Sequence, residues 1–185
     1  MGPNDRPFQT WCSVECGIRV AIERQEAAKR RKRERALKQF RDETRRRRKA
    51  LKTPTEWASE AQVAFNGYIR ERDRGLPCIS CGKPDDGTHQ RHASHFRSVK
   101  AAKQLRYNCW NVSASCAQCN TYESGSIATY RPALIDKIGL HRVEALENNN
   151  ALCTHTIEYH QRVKRIFTKR TKHLKKLRAG HAPTQ

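Results

Sequence analysis

The chain has 185 residues, an apolar fraction of 36% and a formal net charge of +20. Globular chains are typically about 45–50% apolar, so one small core with extensions is expected rather than two full domains. No run near 18 apolar residues and no apolar leader occur in the sequence, which argues against a membrane span and a secretory signal.

The charge is concentrated at two places. Residues 19–52 hold sixteen Lys or Arg against five Asp or Glu, and residues 162–178 hold nine against none. Cationic arms of this kind bind polyanions, and nucleic acid is the expected partner. A membrane surface is not expected, because neither arm pairs its charge with a strong apolar face. The chain has eight cysteines. Four fall in two Cys-x-x-Cys pairs, which is metal spacing, so a reducing compartment such as the cytoplasm is expected.

Residues 1–18 carry Cys12 and Cys16, which read as the remnant of a zinc knuckle whose upstream Cys pair is missing. Residues 19–52 contain no Gly or Pro and are rich in Ala, Arg, Lys, Glu and Gln. They predict a continuous, solvent-exposed basic helix, most cationic at Arg45, Arg46, Arg47, Arg48 and Lys49. Thr53-Pro54-Thr55-Glu56 predicts a helix start: a capping Thr, Pro at the first helical position and a Glu that reaches back. Trp57, Ala61, Ala64, Phe65 and Tyr68 then form one apolar face, and Gly75 ends the helix.

Residues 76–130 read as short strands and turns followed by a helix from about Cys116. Residues 131–147 predict one or two short helices broken at Gly139. A last helix is expected from about Thr156 to Leu177, bearing Lys169, Arg170, Lys172, Lys175 and Lys176 as DNA contacts. The organisation expected is thus a remnant knuckle over 1–18, a basic arm over 19–52, a core over 53–147, and a basic C-terminal helix and tail over 148–185. The fold class expected is α+β and mostly helical, with a small zinc-stapled core between long basic helices.

Cys78-Ile79-Ser80-Cys81 and Cys116-Ala117-Gln118-Cys119 are the strongest local signal. Each pair turns tightly enough to put two thiolates on one ion, and four thiolates close a tetrahedral zinc site with no open position. Such a site is structural and staples a core too small to hold itself together. Between and after the pairs lie His92, His95, Asn111 and Asn120. An imidazole can take a proton from water near neutral pH, which makes His95 a candidate general base. The Asn120 side-chain oxygen suits a divalent ion such as Mg²⁺, although an Asn there could equally cap the helix. Glu123 reads as a surface acid, and Cys109 and Cys153 as small apolar residues.

The order Cys-x-x-Cys, His95, Asn111, Cys-x-x-Cys-Asn120 resembles the HNH (ββα-metal) nucleases. That resemblance implies a β-hairpin carrying a catalytic His and Asn, and a following helix that supplies a ligand to a catalytic Mg²⁺ or Mn²⁺. Further segments occur in one order: Phe8-Gln9-Thr10-Trp11-Cys12-Ser13, Ala64-Phe65-Asn66-Gly67-Tyr68-Ile69-Arg70-Glu71-Arg72-Asp73, Leu76-Pro77-Cys78, His95-Phe96-Arg97, Asn111-Val112 and Ser124-Gly125-Ser126. Over roughly residues 8–147 they are similar to the NinG (Rap) family of lambdoid phage recombination endonucleases. The resemblance implies cutting of D-loops and Holliday junctions in a bacterial host cell, and symmetrical cutting would suit a homodimer.

Three departures stand beside it. The upstream Cys pair is absent, Ser94 stands where many HNH nucleases have Asp before the catalytic His, and Ser124 and Ser126 are weak ligands. His92 could replace the missing carboxylate, but in a regular strand it faces away from His95, so a bulge would have to bring them together. Asn111 is expected to orient the hairpin. The alternative is a zinc-ribbon DNA- or RNA-binding protein with basic arms and no chemistry; a protein that binds an acidic partner is a third reading.

Overall fold

A computed structural model of the chain describes residues 11–121 and 127–180. It is α+β and mostly helical, with two short strands among the described residues. Two compact units divide the chain, residues 1–52 and residues 53–185.

The first unit is dominated by α1 (Val14–Ala50), which buries none of its residues. It starts ahead of the basic stretch because the Ser13 hydroxyl accepts from the Cys16 N–H at 3.2 Å and satisfies an open donor of the first turn. Cys16 is therefore a helical residue. Arg45 pairs with Asp42 at 2.7 Å and Arg47 with Glu43 at 2.6 Å along the exposed surface. Such pairs add little stability.

The second unit begins with α2 (Pro54–Arg72), whose start is a complete capping box. The Thr53 hydroxyl accepts from the Glu56 N–H at 3.2 Å, and the Glu56 carboxylate accepts from the Thr53 N–H at 2.7 Å. Ala61, Phe65 and Ile69 then recur on one face and are fully buried. α6 (Ile157–Gly180) lies parallel to α2, as the pairings Lys164–Glu60, Phe167–Phe65 and Arg178–Glu71 show. It supplies Val163 and Phe167 to the core that Tyr107 and Val112 complete. The sequence set residues 148–185 apart from the core; α6 instead builds one wall of it.

The strands β1 (His92–His95) and β2 (Val112–Ser115) pair antiparallel, with His92 opposite Ser115 and His95 opposite Val112. Ala93 packs against the α2–α6 cluster. Phe96 joins a second cluster with Tyr130 and Leu134 of α4 (Ile127–Ile138) and Val143 and Leu146 of α5 (Leu140–Glu147). The hairpin is thus sandwiched between helices on both faces. Gly139, at φ +87, makes the break between α4 and α5 in a backbone region that an L side chain rarely enters.

Two buried charges tie these pieces together. Asp73, only 2% exposed, accepts two bonds from Arg72 at 2.7 Å, one from Lys137 of α4 at 2.9 Å and one from the Ala114 N–H of β2 at 2.9 Å. Burial pushes this carboxyl up, but Arg72, Lys137 and the Ala114 amide outweigh it and hold it below the usual carboxylate range. Arg97 donates to the carbonyls of Leu146, Glu147 and Asn149 at 2.7–3.0 Å and so satisfies the open C-terminus of α5.

Asp73→Asn should lower stability by about 3 kcal/mol at neutral pH, because it strands two cations beside a neutral amide. The native Asp73 is held charged by folding, so its contribution is complete above about pH 4 and is lost as the pH falls through its lower folded value. Denaturant unfolding at several pH values checks this: the gap between variant and native chain should close in acid.

Candidate metal centre and active site

The metal centre is built by local turns on a shared scaffold. After Cys78 the chain doubles back, with the Gly82 N–H on the Cys78 carbonyl at 2.9 Å and the Cys78 N–H on the Lys83 carbonyl at 2.9 Å. Gly82 takes φ +70 to do so. The Ile79 N–H joins the Ala114 carbonyl at 3.2 Å, which fastens this knuckle to β2. β2 runs directly into Cys116, and α3 (Ala117–Thr121) carries Cys119. The four sulfurs of Cys78, Cys81, Cys116 and Cys119 all lie within 4.8 Å of one another.

A tetrahedron of sulfurs about 2.3 Å from a central ion has edges of about 3.8 Å. The Cys81 and Cys116 sulfurs are 3.8 Å apart. Burial pushes the Cys78 thiol up, but the N–H groups of Cys81, Cys116 and Ser80 outweigh it and bring it down to about 7. Cys119 is pushed up by burial and by the other sulfurs. Like charges this close are stable together only around a cation. The four residues can therefore hold a metal such as zinc, and the soft, closed donor set makes it a structural one.

Asn111, fully buried, closes the loop between the strands. Its side-chain oxygen accepts from the Arg97 N–H at 2.9 Å and its amide donates to the carbonyls of Arg97 at 2.9 Å and Leu105 at 3.3 Å. Every polar atom of the amide is committed to backbone, so it positions the hairpin and is not open to a substrate.

His95 is half-buried at the end of β1. Its Nε2 lies 3.0 Å from the Arg106 carbonyl. A carbonyl can only accept, so Nε2 carries the proton and Nδ1 keeps its lone pair. Burial is the main influence on the ring and holds it below its ordinary value; the nearby Arg106 guanidinium acts in the same direction. The Arg106 carbonyl is itself fixed, because Arg106 Nε donates to Gln62 of α2 at 2.8 Å and Gln62 donates to Asn66 at 2.7 Å. The two terminal nitrogens of Arg106 make no hydrogen bond among the described residues, and the guanidinium lies over the Tyr107 ring, 5.4 Å from its centroid. A cation beside a neutral imidazole is suited to phosphate. Arg106 belongs to no motif in the sequence, and its anchor, Gln62, is 44 positions away in the chain.

His92 and Asn120 meet on the other side of the hairpin, with the Asn120 amide nitrogen 3.2 Å from His92 Nδ1. Ser115, opposite His92 in register, is fully buried and its hydroxyl has no partner among the described residues. β1 pairs continuously through its four residues, without a bulge. His92 and His95 therefore point to opposite faces, about 10 Å apart along the strand. The sequence allowed His92 to join His95 only through a bulge; the regular register puts it with Asn120 instead. Ser94 is 2% exposed and offers no open ligand. An imidazole suits transition ions such as zinc, whereas an amide oxygen and a hydroxyl suit harder ions such as Mg²⁺ or Mn²⁺.

The remaining sequence candidates are dispersed. Arg45, Arg46, Arg47, Arg48 and Lys49 are exposed on α1, and Lys169, Arg170, Lys172, Lys175 and Lys176 on α6. Among the described residues Cys12 and Cys16 gather no third metal ligand. Cys109 is half-buried against the α2–α6 core, and Cys153 lies beside His155 at 3.5 Å rather than in an apolar site. Glu123, Ser124 and Ser126 lie outside the described residues. No described helix is long and apolar enough to cross a membrane.

A four-thiolate knuckle closing a histidine-bearing hairpin, with cationic helices before and after it, places the chain among small metal-knuckle proteins with basic extensions. A sequence model of the family described as "Bacteriophage Lambda NinG protein" matches residues 4–178. The ninG protein of Escherichia phage lambda is 39% identical over 182 residues, covering 94% of this chain and 88% of the relative. Those of Salmonella phage P22 and Escherichia phage 933W are 38% and 37% identical over the same length, covering 94% of this chain and 88% and 89% of the relatives. The chain belongs to the NinG family of lambdoid phage proteins. No solved structure matches it.

Purified chain should carry one zinc per molecule by mass spectrometry, and a strong chelator or Cys116→Ser should melt the second unit. α1, which shares no core with the knuckle, should keep its helical circular dichroism.

Proposed function

We propose that the chain is a metal-dependent endonuclease that hydrolyses phosphodiester bonds in branched DNA, with His95 as general base. The observation that carries this reading is the locked ring of His95: Nε2 is tied to the Arg106 carbonyl, Nδ1 keeps its lone pair, and burial together with the charge of the Arg106 guanidinium disfavours protonation of the ring. Branched recombination intermediates enter as the substrate from the family resemblance. The exposed Lys and Arg of α1 and α6 supply affinity for phosphate without reading bases.

In the reaction Nδ1 of His95 takes a proton from water as the oxygen attacks phosphorus. The bond to the 3′ oxygen breaks, that oxygen is protonated, and the product carries a 5′-phosphate. Arg106 stabilises the charge that grows on the non-bridging oxygens. His92 and Asn120, on the hairpin face opposite His95, are the residues that would hold a divalent ion, which would supply charge stabilisation to DNA phosphate bound on that face. In the Asp-His pattern of HNH nucleases the ligand and the base are strand neighbours, which alternation also sends to opposite faces. His92 stands two residues further along, so Arg106 is the cation nearest the base.

A second reading, a zinc-ribbon nucleic-acid-binding protein without chemistry, is favoured by Ser94, buried where the carboxylate would be. Nicking of a four-way junction separates the two. His95→Ala should cost about 10²–10⁴ in rate with binding and melting unchanged, and Arg106→Ala about 10². The rate should fall in acid as His95 protonates, with its midpoint below that of an ordinary imidazole. Tight junction binding with no cutting in any divalent ion would leave the second reading standing.

A further inference from the structure

Trp110 is the most exposed of the described aromatic residues of the second unit. Trp57, Phe65, Phe96, Tyr107, Tyr130 and Phe167 are buried, whereas Trp110 is 48% exposed and belongs to neither core cluster. Its position is rigid. The Trp110 N–H donates to the Asn108 side chain at 2.8 Å, and the next residue is the immobilised Asn111. The Arg142 guanidinium lies over the indole, 5.0 Å from the ring centroid, and is itself anchored to the Ile138 carbonyl at 3.0 Å. The cation covers one face of the ring and leaves the other to solvent.

Its place in the fold is next to the candidate base. Asn111 bonds to Phe96 across the end of the sheet at 2.8 Å, and Val112 is the register partner of His95. Trp110 therefore stands two residues ahead of the register partner of His95, at the sheet end that carries His95.

We propose that Trp110, backed by Arg142, is a stacking platform for an unpaired base at the branch point of DNA, and so sets the preference for branched over continuous duplex. This rests on the DNA-directed reading above. In an intact duplex each base face is covered by its neighbours. Only an unpaired or unstacked base has a face to offer a fixed indole, and such a stack is worth about 1–3 kcal/mol. An apolar protein surface is a poorer fit, because the guanidinium backing the ring favours an electron-rich ring or a phosphate on this site.

The test uses the whole chain without added divalent ion, so that binding is read apart from cutting. A forked DNA with unpaired nucleotides, carrying 2-aminopurine beside the branch, is compared with a blunt duplex of equal length. Trp110→Ala should weaken fork binding about tenfold, abolish the 2-aminopurine quenching and leave duplex affinity unchanged. Trp110→Phe should keep most of the fork preference, and equal melting of both variants guards against a folding defect. Equal loss on fork and duplex, or no change on either, would overturn the proposal. Because no cleavage is measured, a chain that never cuts DNA can still pass this test, and a cutting chain can still fail it.

Discussion

Four sulfurs drawn within 4.8 Å of one another set the geometry on which the second unit depends. One pair sits in a glycine knuckle ahead of the hairpin and the other at the end of β2, so a shared ion would clamp the open end of a two-stranded sheet that could not persist alone. The clamp places α3 directly after β2, which brings Asn120 to His92. It also sets the start of the hairpin, leaving Asn111 and Arg97 to shape the loop that follows. A core this small gains much from a staple, and here the staple and the candidate site share the same two strands.

The hairpin is held from three other sides by polar contacts that span long stretches of chain. Asp73 joins α2, β2 and α4, Arg97 joins the end of β1 to the C-terminus of α5, and Arg106 joins the inter-strand loop to Gln62 of α2. Each is a buried or half-buried charge anchored by hydrogen bonds to distant parts of the chain, which is costly to build and costly to break. Such contacts give precise placement rather than large stability. That suits a site in which one imidazole must keep a particular nitrogen open.

Legibility from sequence varied with distance along the chain. The capping box at Thr53–Glu56, the break at Gly139 and the paired cysteines were readable because each rests on contacts among near neighbours. The start of α1 at Val14 is not legible from composition, because the Ser13 cap that sets it lies ahead of the basic stretch. α6 was placed correctly as a helix but set apart from the core, since nothing local says that Val163 and Phe167 meet Phe65. Arg106 carried no signal at all, because its role comes from a carbonyl and a guanidinium brought to His95 by folding.

The sequence alone determined where the helices run, which cysteines could share an ion, and that cationic segments lie on both sides of a nearly neutral middle. Those properties follow from short-range propensity, spacing and composition. Tertiary structure decided which tautomer His95 adopts, that His92 turns to Asn120 and away from His95, and that Trp110 stays in solvent under Arg142. These depend on strand register and on partners tens of residues distant, and a one-residue slip in β1 would have reversed the directions of both His92 and His95.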